Sequence, residues 1–142
     1  MARAPKPPPE VRCPYCGQDA VLHLNSSAFY RGRDYGPLWA CEPCGAWVGT
    51  HKNSPRHYPL GRLADAYLRA AKREVHKVFD PLWQAKMERT GCSATKARDA
   101  AYDWLAKELG IEVNKCHMGK FDLETCRRAH EICLRYYKTR DV

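Results

Sequence analysis

Two cysteine pairs of one make, Cys13-Pro14-Tyr15-Cys16-Gly17 and Cys41-Glu42-Pro43-Cys44-Gly45, constrain this chain more than any other feature. Two residues between the cysteines, with glycine directly after, let the backbone curl so that both thiolates reach one point and amide groups turn toward the sulfurs. Two such knuckles supply four thiolates, the donor number and softness that suit tetrahedral Zn²⁺. Two redox pairs or two disulfides are the competing reading. The proline in each knuckle and its trailing glycine favour the metal. One structural Zn²⁺ on Cys13, Cys16, Cys41 and Cys44 is therefore expected. Four protein ligands leave no position for water or substrate, so this metal is expected to hold a fold together and to do no chemistry.

Charge bounds the partners. The 142 residues carry 24 Lys and Arg against 16 Asp and Glu, a formal net charge of +8. Such an excess attracts polyanions and makes DNA or RNA the first partner to consider. No stretch approaches the length of apolar run that crosses a bilayer, and the first residues lack an apolar segment after their positive charge. The chain is thus expected to be neither secreted nor membrane-spanning. Eight cysteines, four of them assigned to metal, fit a reducing cytoplasm better than a disulfide framework.

Along the chain, residues 1–11 are rich in proline, alanine and basic residues and read as a flexible tail. Ala20–Leu24, broken at Asn25-Ser26-Ser27 and resumed at Ala28–Tyr30, reads as strand, turn and strand. Leu38–Cys41 and Ala46–Gly49 flank the second knuckle as further short strands. Thr50–Pro59 reads as a linker. From Leu60 the apolar residues recur at helical spacing through Phe79, with Arg62, Arg69, Lys72, Arg73 and Lys77 largely on the other face. Asp80-Pro81 marks an expected break before a short helix over Leu82–Met87. Ser93 has the chemistry of an N-cap, Gly110 that of a helix stop, and a last helix is expected from Asp122 or Leu123 to about Tyr137. The pattern predicts a small α+β protein, with an N-terminal four-cysteine zinc ribbon of short antiparallel strands packed on a C-terminal helical bundle. The expected boundaries are 1–11 for the tail, 12–58 for the ribbon and 59–142 for the helical part.

Longer motifs run through the chain: Tyr35-Gly-Pro-Leu-Trp-Ala-Cys41, Cys44-Gly-Ala-Trp-Val-Gly49, Pro59-Leu-Gly-Arg-Leu-Ala64, Phe79-Asp-Pro-Leu-Trp83, Ala101-Tyr-Asp-Trp-Leu-Ala106 and Cys116-His-Met-Gly-Lys-Phe-Asp122. With these and the first knuckle the chain resembles a phage and prophage zinc-finger-containing family of unknown function, from Val11 to about Cys133. The resemblance implies a zinc site on Cys13, Cys16, Cys41 and Cys44 in a phage-encoded protein acting in the cytoplasm of a bacterial host. It carries no catalytic assignment.

A ribbon can offer aromatics for base stacking beside cations for phosphates. Tyr30, Arg31, Arg33, Tyr35, Trp39 and Trp47 cluster near the knuckles, with Lys52 and Arg56 beyond. Arg31, Arg33, Lys52 and Arg56, with Arg69, Lys72 and Arg73 on the first helix, are the expected nucleic-acid contacts. For the tryptophans the preferred reading puts Trp39 and Trp47 in a core between ribbon and helices, and the competing reading of the helix cations leaves them as a solvated, ion-paired face. A nuclease built on His76, Asp80, His117 and Asp122 is an alternative, against which these residues serve as helix caps and packing partners. A second metal on Cys126, His130 and Cys133, joined by Cys92 or Cys116, competes with buried apolar cysteines. A further alternative is a protein that binds and redirects a host protein complex. The preferred reading is a nucleic-acid-binding accessory protein without catalysis.

Overall fold

The structure is a computed structural model, and it describes residues 6–140. The proline-rich tail expected over residues 1–11 thus lies partly outside the described residues. The chain forms two compact units that divide between Ala66 and Tyr67. No helix among the described residues is long and apolar enough to cross a membrane.

The first unit is a three-stranded antiparallel sheet in the order β1 (Val21–His23), β2 (Leu38–Cys41), β3 (Ala46–Gly49). Trp39 stands opposite Leu22 and Val48, and Cys41 opposite Ala46. Because side chains alternate across a strand, that register puts Leu22, Trp39, Cys41, Ala46 and Val48 on one face. These residues pack with Cys13, Ala20 and Leu63 into one apolar cluster. The cluster is small, and two of its buried members are cysteines of the knuckles.

Two expectations fail in this unit. Ala28–Tyr30 forms turns and no strand. Phe29 N–H donates to Ser26 O, and Tyr30 and Gly32 N–H both donate to Ser27 O. Arg31 (φ 54°) and Gly32 (φ 89°) are left-handed, which ends any extended run. The helix expected from Leu60 begins instead at Ala66. Leu60 N–H donates to Gly49 O, and Ala64 exchanges both backbone hydrogen bonds with Trp47. The free edge of β3 takes up the amides that a helix would have used internally.

The second unit holds α1 (Ala66–Thr90), α2 (Ala94–Leu109) and α3 (Leu123–Arg140), with two short 3₁₀ turns between α2 and α3. Leu68, Val75 and Phe79 are the buried face of α1, and Ala97, Leu105, Ala106 and Leu109 that of α2. Cys126, Ala129 and Cys133 form the buried face of α3 at helical spacing. Ser93 caps α2 by accepting from Lys96 N–H, and Gly110 ends it in the left-handed conformation, as its sequence predicts. The Leu109 carbonyl at that end accepts from the Arg128 guanidinium at 2.7 Å.

The break expected at Asp80-Pro81 is absent, and α1 runs through Pro81. Proline gives no N–H to the carbonyl four residues back and crowds it, at a cost of about 3 kcal/mol. Tertiary contacts outweigh this. Phe79 is fully buried and packs on Tyr102 at 4.8 Å, Tyr137 donates its hydroxyl to Val78 O at 2.9 Å, and Trp83 Nε1–H donates to Asp80 Oδ1 at 3.0 Å.

Candidate metal centre and ribbon surface

The sulfurs of Cys13, Cys16, Cys41 and Cys44 all lie within 4.8 Å of one another, and Cys16 Sγ stands 3.7 Å from Cys41 Sγ. A tetrahedron with zinc–sulfur bonds of about 2.3 Å has sulfur–sulfur edges of about 3.8 Å. A disulfide would need about 2.05 Å, and all eight cysteines are free. The spacing is that of a metal cage.

Each knuckle builds its half of the cage locally. Gly17 N–H donates to Cys13 O, Cys13 N–H to Gln18 O and Gly45 N–H to Glu42 O. Gly17 and Gly45 both take positive φ, at 76° and 62°, which lets each loop close under its sulfurs without strain. Burial pushes the Cys13 thiol up, but the amides of Tyr15 and Cys16 and the thiols of Cys41 and Cys16 outweigh it and hold its pKa below the ordinary value. Cys44 is pushed up to about 12, chiefly by hydrogen bonding with the Cys16 thiol, then by burial and by the remaining thiols. Thiolates this close repel, so four of them coexist when a dication neutralises them. The donor set and spacing fit one structural Zn²⁺.

The cage is tied into its unit through Tyr15. Asp65 N–H donates to the Tyr15 hydroxyl at 3.1 Å, and the Arg62 guanidinium lies 5.7 Å from the Tyr15 ring centroid. Arg62 thus precedes α1 and belongs to the zinc unit, although its sequence places it on the basic helix face.

Of the aromatics, Trp39 is buried in the ribbon core and donates Nε1–H to His57 O at 2.7 Å. It shares that cluster with the knuckle cysteines. Trp47 is half-buried and meets Phe29 edge-on at 5.3 Å and Tyr30 at 6.3 Å. Tyr35 is different. It is 67% exposed, and its ring stands 5.0 Å from Tyr30. Arg31 and Arg33, both exposed, sit on the same loop.

A brace that sequence reading missed holds this loop. Asp34 Oδ1 accepts from Ser26 N–H, Ser26 Oγ–H and Gly36 N–H, and Ser26 Oγ accepts from Tyr35 N–H at 2.8 Å. The Gly36 and Ser26 amides keep the Asp34 pKa below the usual carboxylate range. The Asp-x-Gly signature at 34–36 is the sequence signal that could have revealed it.

Next to Tyr35 opens a groove of about 530 Å³, lined also by Lys52, His51 and His57. The hairpin Thr50–Pro59 forms its far side, closed by His51 N–H donating to Tyr58 O. Lys52 is exposed at the tip. Arg56 is half-buried and already engaged, donating Nε–H to Pro7 O at 2.9 Å and Nη1–H to the Tyr58 hydroxyl at 2.7 Å.

On α1, Arg73 is exposed and Arg69 and Lys72 are half-buried. His76 Nδ1 meets Asp80 Oδ2 at 3.1 Å, one helical turn on. His117 stacks on Tyr102 at 5.3 Å, and its Nδ1 accepts from Gly119 N–H. Burial, then the charges of Lys120, Lys72, His76 and Arg98, lower its pKa. Asp122 accepts from Thr125 N–H at 2.8 Å as the N-cap of α3. Among the described residues the four knuckle cysteines are the one group of three or more Cys, His or carboxylate side chains close enough to share an ion. Cys126, His130 and Cys133 are not brought together as such a group. Cys133 is buried, its pKa raised to about 12 by burial, as expected of an unreactive core thiol.

Fold and site together define a small α+β zinc protein, a four-cysteine ribbon followed by three helices. No curated protein and no solved structure shows a match. The zinc-finger-containing domain family matches residues 9–136, and the chain belongs to that family.

Proposed function

We propose that this protein binds nucleic acid through its ribbon, as a phage-encoded accessory factor without catalysis. The groove beside Tyr35 carries the reading. An exposed ring at its wall suits stacking on a base, and Lys52, His51 and His57 line it beside the exposed Arg31 and Arg33, where cations meet phosphates. Backbone conformation supports the choice. Among the described residues the non-glycine positions with positive φ are Arg31, Asn53 and His57, two of them basic and all in the loops beside this groove. Such strain costs on the order of 1 kcal/mol per residue or more and concentrates at functional loops. Arg56 contributes its remaining donor capacity. Arg69, Lys72 and Arg73 on α1 add to the chain's excess of positive charge. The phage origin is an inference from the motif resemblance.

The test is fluorescence anisotropy of the zinc-loaded protein with labelled single-stranded and duplex DNA and RNA across a salt series. Binding should weaken steeply with salt, and Arg31→Ala/Arg33→Ala should reduce the salt slope by about 2, one for each phosphate that an arginine no longer neutralises. Absence of binding at low salt refutes the reading. Salt-insensitive capture of a single host protein would replace it with the host-complex alternative.

A further inference from the structure

Trp83 in the second half of α1 and Trp104 in α2 line a cavity of about 210 Å³ within the helical unit. The small side chains of Ala97 and Ala100 line it too, which is what leaves room beside the indoles. Lys86, Arg89 and Tyr136 contribute to its wall, and among the described residues no carboxylate does. Both indoles are half-buried, unlike the 6% exposed Trp39 of the ribbon core. Both are also held in place. Trp83 donates Nε1–H to Asp80 Oδ1 at 3.0 Å and has the Arg98 guanidinium over its ring at 5.3 Å. Trp104 meets the Tyr136 ring edge-on at 5.4 Å.

Aromatic rings half-open to solvent and fixed beside a small-residue gap are a stacking platform prepared in advance. The cavity falls below the roughly 300 Å³ of pockets for drug-sized ligands, so it suits one ring system. Its charge is positive, which favours a ring that carries an anion. An acidic amphipathic helix is the other occupant of a basic aromatic groove. Beyond Trp104 and Tyr136, however, the surface continues into a second groove lined by Glu108 and Arg135, whose charges offset each other, so the positive character that an acidic helix would need over several turns is confined to the first cavity.

We infer that this cavity takes one unpaired base of a single-stranded nucleic acid, stacked on Trp83 and Trp104, with its phosphate at Lys86 and Arg89. The inference rests on the nucleic-acid reading of the protein and names a contact site that the ribbon groove does not include.

The test follows the indole N–H signals of the zinc-loaded full chain by NMR, assigned with Trp83→Phe and Trp104→Phe, during titration with a short oligothymidylate at low salt. Trp83 and Trp104 signals should shift and saturate. Trp104→Leu should weaken binding roughly tenfold, and Trp104→Phe should retain most of it. Lys86→Gln/Arg89→Gln should lower the salt slope by about 1–2. If the leucine variant fails to fold, the shifts of the unsubstituted protein decide. Binding seen by anisotropy while both indole signals stay still overturns this site and leaves the ribbon reading standing. Shifts produced by an acidic peptide and not by the oligonucleotide also overturn it. No binding of any oligonucleotide at low salt removes both.

Discussion

The ribbon and the helical unit face the same difficulty, too few residues to bury a large core, and meet it differently. In the ribbon two of the six buried members of the apolar cluster are knuckle cysteines, Cys13 and Cys41. Its order depends on a point where four sulfurs converge. The helical unit instead buries Leu68, Val75, Phe79, Leu105 and Phe121 beside Cys126 and Cys133, an apolar core spread along three helices. Backbone strain divides the same way. Arg31, Asn53 and His57, the non-glycine positions with positive φ among the described residues, all stand in the ribbon loops. A metal cage fixes a few backbone points firmly and leaves the loops between them to adopt what function demands. A helical core spreads its stability over many contacts, each of which constrains the chain.

Removing zinc is the harshest way to break this comparison. Chelation, or Cys41→Ser, should unfold the ribbon, since structural zinc contributes on the order of 10 kcal/mol or more. The helical far-UV signal should persist while the near-UV signal of the buried Trp39 disappears. Phe79→Ala is the converse. It should destabilise the helical unit by about 3–5 kcal/mol in urea unfolding and leave zinc stoichiometry at one per chain. Loss of zinc in that variant would show that the units do not stand independently. Pro81→Ala sharpens the contrast from the stabilising side. Restoring an N–H to the Lys77 carbonyl and relieving the ring clash, less the chain entropy that proline removes from the unfolded state, should raise the helical unit's stability by about 2 kcal/mol, read as a higher urea midpoint.

The smallest effect concerns the Asp34 brace. Its folded pKa lies below the unfolded value of about 3.9, so its contribution is present above that value and is lost as pH falls through the folded one. The Ser26 and Gly36 amide shifts should therefore titrate together in acid. In Asp34→Asn that joint titration should vanish.

Much of this architecture is legible in the sequence wherever the signal is local. Knuckle spacing implied the cage, Ser93 and Gly110 bracketed α2, and the run Cys126, Ala129, Cys133 marked the buried face of α3. Errors arose where partners distant in sequence decide. Ala28–Tyr30 has the composition of a strand, but Ser26 and Asp34 turn it. Leu60–Ala64 has a helical apolar spacing, but β3 offers an open edge. Pro81 is a helix breaker by its own chemistry, but Phe79, Trp83 and Tyr137 hold both sides of it in one helix.

The candidate surface shows the same limit. Arg31, Arg33 and Lys52 could be named from charge alone and burial of Trp39 is the preferred reading, yet nothing in the sequence marks Tyr35 as the ring left exposed. Sequence by itself determined the metal's donor set, the excess of positive charge and most helix limits, because each depends on residues a few positions apart. Tertiary structure alone decided which aromatics face solvent, which loop residues are strained and whether a proline ends its helix. Those outcomes rest on which surfaces are buried against each other, a sum over contacts between segments that no local pattern records.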